Sequence, residues 1–221
     1  SILRYCDRAL VLNEGRKIIE TTPKDAVDVY KRLMVDCYVP APAATGAAPV
    51  AESAIPRTTG RFRDRLAVSP ETQSYGDQSA EIEDFALLDK AGNPTNKLIA
   101  FEPFTVFMRI RFKQTLDHPI FAFTLKDIKG LEITGTNTYF KHVDTGVCKP
   151  NQCVEVAFRQ ILNIQAGRYT LSLGCTGFVG DRFVVYHRLY DVVLFEVISE
   201  AFMVGFYDLG GQVTLRQVTE S

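Results

Sequence analysis

Phe104-Thr105-Val106-Phe107-Met108-Arg109-Ile110-Arg111-Phe112 decides the fold class. Every even position is apolar, while Thr105, Arg109 and Arg111 fall on odd ones. Successive side chains of an extended chain point to opposite faces, so the alternation predicts a strand half on a core and half toward solvent. Tyr169, Leu171, Leu173 and Cys175 alternate in the same manner with Thr170, Ser172 and Gly174. Further strands are predicted at 80–88, 119–126, 131–139, 152–160, 181–188 and 190–198. Turn residues separate them at 90–94, 127–130, 149–151 and 165–167. Eight short strands with no long helical pattern between them imply an all-β fold, an antiparallel β-sandwich of immunoglobulin-like or jelly-roll type. A domain of about 140 residues buries around two-thirds of its unfolded surface, enough for its own core.

Outward from the sandwich, composition changes twice. Residues 1–39 read as a short β-hairpin plus helix fragment. Ala9-Leu10-Val11-Leu12 and Arg16-Lys17-Ile18-Ile19-Glu20 flank an Asn13-Glu14-Gly15 turn. Thr22-Pro23 then marks a helix start, with Thr22 as N-cap, and Ala26, Val29, Tyr30 and Leu33 form one apolar stripe. That piece is too short to bury a core alone. Residues 40–60 hold four prolines, seven alanines and one acid, which predicts an extended, flexible linker to a domain at 61–221. After the sandwich, Ala201–Asp208 and Gln212–Val218 read as surplus strands. They either close their own sheet or are exchanged with a second copy in a symmetric dimer.

Composition excludes several functions. Among 221 residues, 25 Lys and Arg face 26 Asp and Glu, a formal net charge of -1, so bulk charge does not favour nucleic acid. Apolar residues make up 46 % and charged ones 23 %, as in ordinary globular proteins. No apolar run reaches the roughly 18 residues a membrane span needs, and no signal peptide is visible. The five cysteines are irregularly spaced apart from Cys148-x4-Cys153, and the three histidines stand singly, so no metal site is expected. Reduced thiols of a cytoplasmic protein are the plain reading. No nucleophile elbow, metalloprotease helix or P-loop occurs, and no catalytic residues or cofactors are assigned. Glu81 and Glu83, at period two, read as one solvated strand face. Arg109 and Arg111 read as cross-strand partners of Glu155.

Binding is better supported. The strands at 119–126 and 168–176 send Ala122, Thr124, Thr170, Ser172 and Gly174 outward, and side by side these leave a shallow groove. Lys126, Tyr139, Tyr186, His187 and Arg188 are placed on its rim, with Tyr75 and Phe107 as further outward aromatics. Sugar recognition needs aromatic faces against C–H groups and polar groups for hydroxyls. Candidate carbohydrate-binding residues are therefore Thr124, Lys126, Asn137, Tyr139, Thr170, Ser172, Tyr186, His187 and Arg188.

Tyr5-Cys6-Asp7-Arg8-Ala9-Leu10-Val11-Leu12-Asn13-Glu14-Gly15, followed by Ala26-Val27-x-x-Tyr30, resembles the C-terminal tail of an ABC-transporter ATP-binding domain. The later part resembles the C-terminal domain of the Wzt family, the ATP-binding subunits of polysaccharide exporters. The resemblance rests on residues 75–82, Asp89-Lys90-Ala91-Gly92, Gly135-Thr136-Asn137-Thr138-Tyr139, residues 166–173 and Tyr190-Asp191-x-x-x-Phe195-x-Val197. It implies a cytoplasmic carbohydrate-binding module that recognises lipid-linked O-antigen polysaccharide for export. It also implies a homodimer held to the transporter's transmembrane subunit at the inner face of the bacterial inner membrane. The chain departs from the whole subunit in lacking Walker A, signature sequence and switch histidine. It is expected to begin just after those elements and not to hydrolyse ATP. It also lacks Trp, so Tyr or Phe must serve as the sugar platform. The alternative is a dimerisation or protein-interaction sandwich with no glycan specificity. A glycan-modifying enzyme is a third, weaker reading that the missing acid pair opposes.

Overall fold

The computed structural model describes residues 2–13, 15–34, 60–70 and 72–217. Most of the expected linker at 40–60 lies outside the described residues. The chain opens with α1 (Ile2–Tyr5), the hairpin β1 (Ala9–Asn13) and β2 (Arg16–Thr21), and α2 (Pro23–Met34). A 3-10 turn (Phe62–Arg65) leads into β3 (Gln73–Tyr75), β4 (Ala80–Leu88), β5 (Lys97–Ile99) and β6 (Pro103–Phe112). Then follow β7 (Leu116–Asp117), β8 (Ile120–Asp127), β9 (Glu132–Asn137) and β10 (Val147–Cys148). The last three strands are β11 (Cys153–Ile161), β12 (Gly167–Val179) and β13 (Arg182–Ile198). No described helix is long and apolar enough to cross a membrane.

One layer is a three-stranded sheet in the order β11-β6-β4. The other runs β3-β13-β12-β8-β9, with β5 added to β13 in parallel. The period-two pattern does what it predicts. Val106, Met108, Ile110 and Phe112 meet Phe123, Leu125, Leu171 and Leu173 in one buried cluster. Each such side chain, fully buried, contributes about 1.5–3 kcal/mol of transfer free energy.

Four departures from the expected layout have physical reasons. The strands expected at 181–188 and 190–198 are one, β13, because no turn interrupts them. Register shifts against β12 absorb the irregularity: the chain from Leu189 to Val193 spans only Leu173 to Leu171 on the partner strand. Asp191 sits in that bulge at φ 52. Phe107 points outward as alternation requires, yet it is fully buried, because Phe62 of the 3-10 turn packs edge-on against it at 5.0 Å. The Asp84 carboxylate fixes that turn, accepting from the backbone N–H of Phe62 at 3.0 Å and of Arg63 at 2.9 Å. The stripe expected to face a core from α2 is split: Ala26 is buried but Tyr30 is exposed. Finally, residues 201–217 form no regular strand. Only Tyr207 bridges to Ile164, flanked by the Gln165 N–H to Phe206 carbonyl and Asp208 N–H to Asn163 carbonyl bonds.

The predicted helix start holds. Thr22 Oγ1 accepts from the Asp25 N–H at 3.3 Å and donates to Asp25 Oδ2 at 2.9 Å, closing a reciprocal cap ahead of Pro23.

Candidate functional site

The outer face of the six-stranded sheet carries the groove residues in rows set by the strand register. One row crosses five strands: Asn137, Ala122, Gly174, Arg188 and Tyr75 lie opposite one another in turn. The next contains Gly135, Thr124 and Ser172, and the third Lys126 and Thr170. Small residues on the middle strands leave a crevice lined by Thr124, Ser172, Gly174, Arg188, Tyr190 and Lys31 of α2. It is a narrow slot of about 40 Å³. A Cβ on Gly174 would lie 3.2 Å from Arg188 Nε, a tight contact that would shift the guanidinium by a few tenths of an ångström.

Arg188 is the deepest cation at the crevice. Its guanidinium carbon lies 5.8 Å from the Tyr190 ring centroid, and the Tyr75 and Tyr190 hydroxyls are 3.3 Å apart beside it. Burial works against its charge, but hydrogen bonds and attraction to these two phenols hold its pKa above the ordinary arginine value. Burial also pushes Tyr190 well up, keeping that phenol neutral.

The other end of the face is roofed by α2. Lys24, Asp28 and Lys31 recur at helical spacing on one side of the helix. Lys24 pairs with Asp191 at 2.8 Å, Asp28 with Lys126 at 3.4 Å, and Lys31 with Glu132. Lys126 also lies 3.7 Å from Asp191 and 4.4 Å from the Tyr190 ring centroid. Thr170 Oγ1 donates to Asp191 Oδ1 at 2.7 Å, and the Asp191 N–H donates to Ser172 Oγ at 3.0 Å. Burial raises the pKa of Asp28 despite the opposing pull of Lys126. Asp191 is equally desolvated, but Lys126, Lys24 and Thr170 outweigh that and hold it below the carboxylate range.

The structure therefore brings Thr124, Lys126, Thr170, Ser172 and Arg188 onto one face, with Lys126 paired to the helix. Asn137 ends the first row, but its Oδ1 accepts from the Phe140 N–H at 2.7 Å and shapes the following loop. Tyr139 in that loop is 40 % exposed and belongs to an aromatic cluster with Phe140 and Phe178, at 6.2 and 6.5 Å.

Two expected rim residues are not there. Tyr186 is the extra residue of a bulge against β12 and turns into the core at 2 % exposure. Gly76 and Gly177 make room for it, since a Cβ at either position would collide with Tyr186. His187 lies between the layers: its Nδ1 accepts from the Ile82 N–H at 2.8 Å and its Nε2 meets Ser74 Oγ at 2.9 Å. A ring nitrogen accepting a backbone N–H carries no proton, and burial lowers the His187 pKa accordingly.

Sequence reasoning missed Tyr190, Asp191, Glu132 and the three charged residues of α2. The available signal was the 24/28/31 spacing, which puts three charges on one side of a helix.

A second concavity of about 470 Å³ opens at the Asp89–Gly92 turn, lined by Phe104, Thr105, Arg159 and Gln160. Gln160 Nε2 is buried there without a hydrogen-bond partner. Beyond it, the three-stranded sheet's outer face carries partly exposed cross-strand ion pairs: Arg109–Glu155 at 2.7 Å, Lys113–Glu81 at 2.8 Å, and Arg111–Glu83. Arg111 thus meets Glu83 of β4 rather than Glu155. Among the described residues no group of three His, Cys, Asp or Glu could hold a metal ion, and Cys6, Cys148, Cys153 and Cys175 are free thiols.

Fold and face together define a two-layer antiparallel β-sandwich with a polar groove on its larger sheet. The family model for the Wzt C-terminal domain matches residues 71–209, well over half of the chain. The chain belongs to that family, a carbohydrate-binding domain of an ABC-transporter subunit. A crystal structure of the C-terminal domain of Wzt is similar in fold, with a TM-score of 0.64 and 20% sequence identity. That match covers 74% of this chain and all of the other. A β-glucosidase from Kluyveromyces marxianus aligns at a TM-score of 0.26 and 10% identity, over 56% of this chain and 16% of that one, and carries no argument. No curated protein matches the sequence.

Proposed function

We propose that the chain is the glycan-reading module of a polysaccharide exporter. It recognises lipid-linked O-antigen polysaccharide at the cytoplasmic face of the bacterial inner membrane and acts by binding, without catalysis of its own. Residues 1–39 are the tail of the ATP-binding domain that ties this recognition to the transmembrane subunit. The observation that carries the reading is the groove on the six-stranded sheet. Its floor carries the hydroxyls of Thr124 and Ser172 beside Gly174, Arg188 and Tyr190 flank it, and a partly exposed aromatic cluster at Tyr139 lies in the loop after Asn137. Hydroxyl and cation donors beside aromatic faces are the chemistry that sugar rings require. Calorimetric titration with O-polysaccharide from the source bacterium tests it, with polysaccharide of an unrelated strain as control. Saturable binding of the cognate polymer alone is the expected result. No heat at millimolar repeat-unit concentration, from a folded chain, would refute it.

A second reading concerns partners. Phe202, Val204, Leu209, Val213 and Leu215 are almost fully exposed in the C-terminal segment, an unusual load of bare apolar surface. We propose that this segment packs on a second copy, giving a homodimer whose two grooves engage one repetitive polymer with avidity. Sedimentation should show a dimer that becomes monomeric when residues 201–221 are removed.

A further inference from the structure

We infer that α2 is a built-in occupant of the glycan groove, seated when the groove is empty and displaced when polysaccharide binds. This rests on the glycan reading above, and adds that the preceding segment and the polymer exclude each other.

The geometry supplies the reasons. The helix reaches the sheet chiefly through charge: Lys24 to Asp191, Asp28 to Lys126, Lys31 to Glu132. Removing a Lys–Asp pair from water offsets most of its attraction, so such pairs fix register far better than they hold elements together. Of its apolar residues only Ala26 is fully buried; Val27, Val29 and Leu33 are half-buried and Tyr30 stays 53 % exposed. A contact that is specific in position but weak in net free energy is one that a ligand can displace.

What the helix covers is equally telling. Lys126 is an outward-facing residue of a sheet, yet it is buried and paired with Asp28 of the helix. The Asp28 carboxylate, 98 residues away in sequence, gives Lys126 the hydrogen-bonding oxygen that a sugar hydroxyl or acid would otherwise give. Lys31 shares the crevice with Arg188, so the helix narrows even the part it does not roof. Tethering makes this occupancy local, because a segment joined to the same chain competes at high effective concentration.

Carbodiimide coupling of the full chain tests the inference, since it joins an amine to a carboxylate only where they are already paired. The Lys31–Glu132 cross-link, read by peptide mass spectrometry, should form in the free chain and be suppressed by saturating O-polysaccharide. The cross-linked chain should lose binding by at least about tenfold. Lys31→Glu, an exposed substitution that repels Glu132, should bind about tenfold more tightly if the seated state holds nine-tenths of the population. Asp28→Ala should act in the same direction. Polysaccharide that binds, yet leaves cross-link yield and Lys31→Glu affinity unchanged, would overturn the exclusion while leaving glycan recognition intact. Absence of the Lys31–Glu132 cross-link in the free chain would overturn it as well. If no form of the chain, Lys31→Glu included, binds the polymer, the glycan reading falls and the inference falls with it.

Discussion

Both sheets of the sandwich have their outer faces covered, and the two covers are held by opposite means. The three-stranded sheet is capped by Phe62, an aromatic from the adjoining 3-10 turn packed on Phe107 with Ala86 and Leu88. The six-stranded sheet is covered by α2, whose footing is Lys24, Asp28 and Lys31. Apolar burial is favourable wherever it occurs and is non-directional, so the first cover belongs to the folded domain. A charged footing nearly balances desolvation against attraction, so the second has a defined seat and little holding it there. One face is thereby a finished surface, and the other a surface with a tenant.

The largest effect that distinguishes them is Phe62→Ala. It should destabilise the domain by about 3–4 kcal/mol in urea titrations, as other buried Phe truncations do. Asp191→Asn should follow at about 2 kcal/mol, because Asp191 is the sandwich's own anion between Lys24 and Lys126 and accepts from Thr170. Asp28→Ala sharpens the contrast. Its charge is as buried as that of Asp191, yet it belongs to the cover, so the sandwich's unfolding midpoint should move by less than the equivalent of about 0.5 kcal/mol. A loss comparable to that of Asp191→Asn would mean that α2 is an integral part of the domain, and the contrast would fail.

Two smaller effects concern ligand and pH. Tyr139→Ala should weaken O-polysaccharide binding by about 1 kcal/mol, roughly fivefold, with stability unchanged, because its ring is exposed. For His187, burial lowers the folded-state pKa below the unfolded value, so the folded domain favours the neutral ring. That contribution is complete above about pH 6.5 and is lost as pH falls toward the folded pKa. The melting temperature should thus drop by a few degrees between about pH 7.5 and 5.5, and His187→Asn should flatten that slope.

The fold was legible wherever a strand is long enough to show its period. β6 and β12 alternate over many residues, and tertiary structure had no need to override them. β3, β5, β7 and β10 have two or three residues each, too few for any period. β13 was split at Leu189 because Arg188 and Asp191 interrupt its apolar run. Asp191 is buried on lysines and Arg188 half-buried against phenols, with partners from β3, β8 and α2 as well as β13 itself. The groove was partly legible for the same reason. Thr124, Thr170 and Ser172 follow from alternation, whereas the fate of Tyr186 depends on a bulge that no local pattern announces. The helix over Lys126 was hidden more deeply still. Its polar stripe is what a solvated helix shows, and only the facing sheet reveals that it is an interface.

β13 has a mechanical meaning too. It is a single 17-residue strand that, with its bulges, runs roughly 40 Å alongside β12. Along it lie His187, the crevice's Arg188, the α2 contact Asp191 and, just past its end, the apolar C-terminal segment. Its bonds to β12 run across the pulling direction and share a load in parallel, so tension along the strand meets the whole ladder at once rather than opening it rung by rung. A pull at the crevice would therefore be shared along this strand, and the domain can bear traction as a tie rod does.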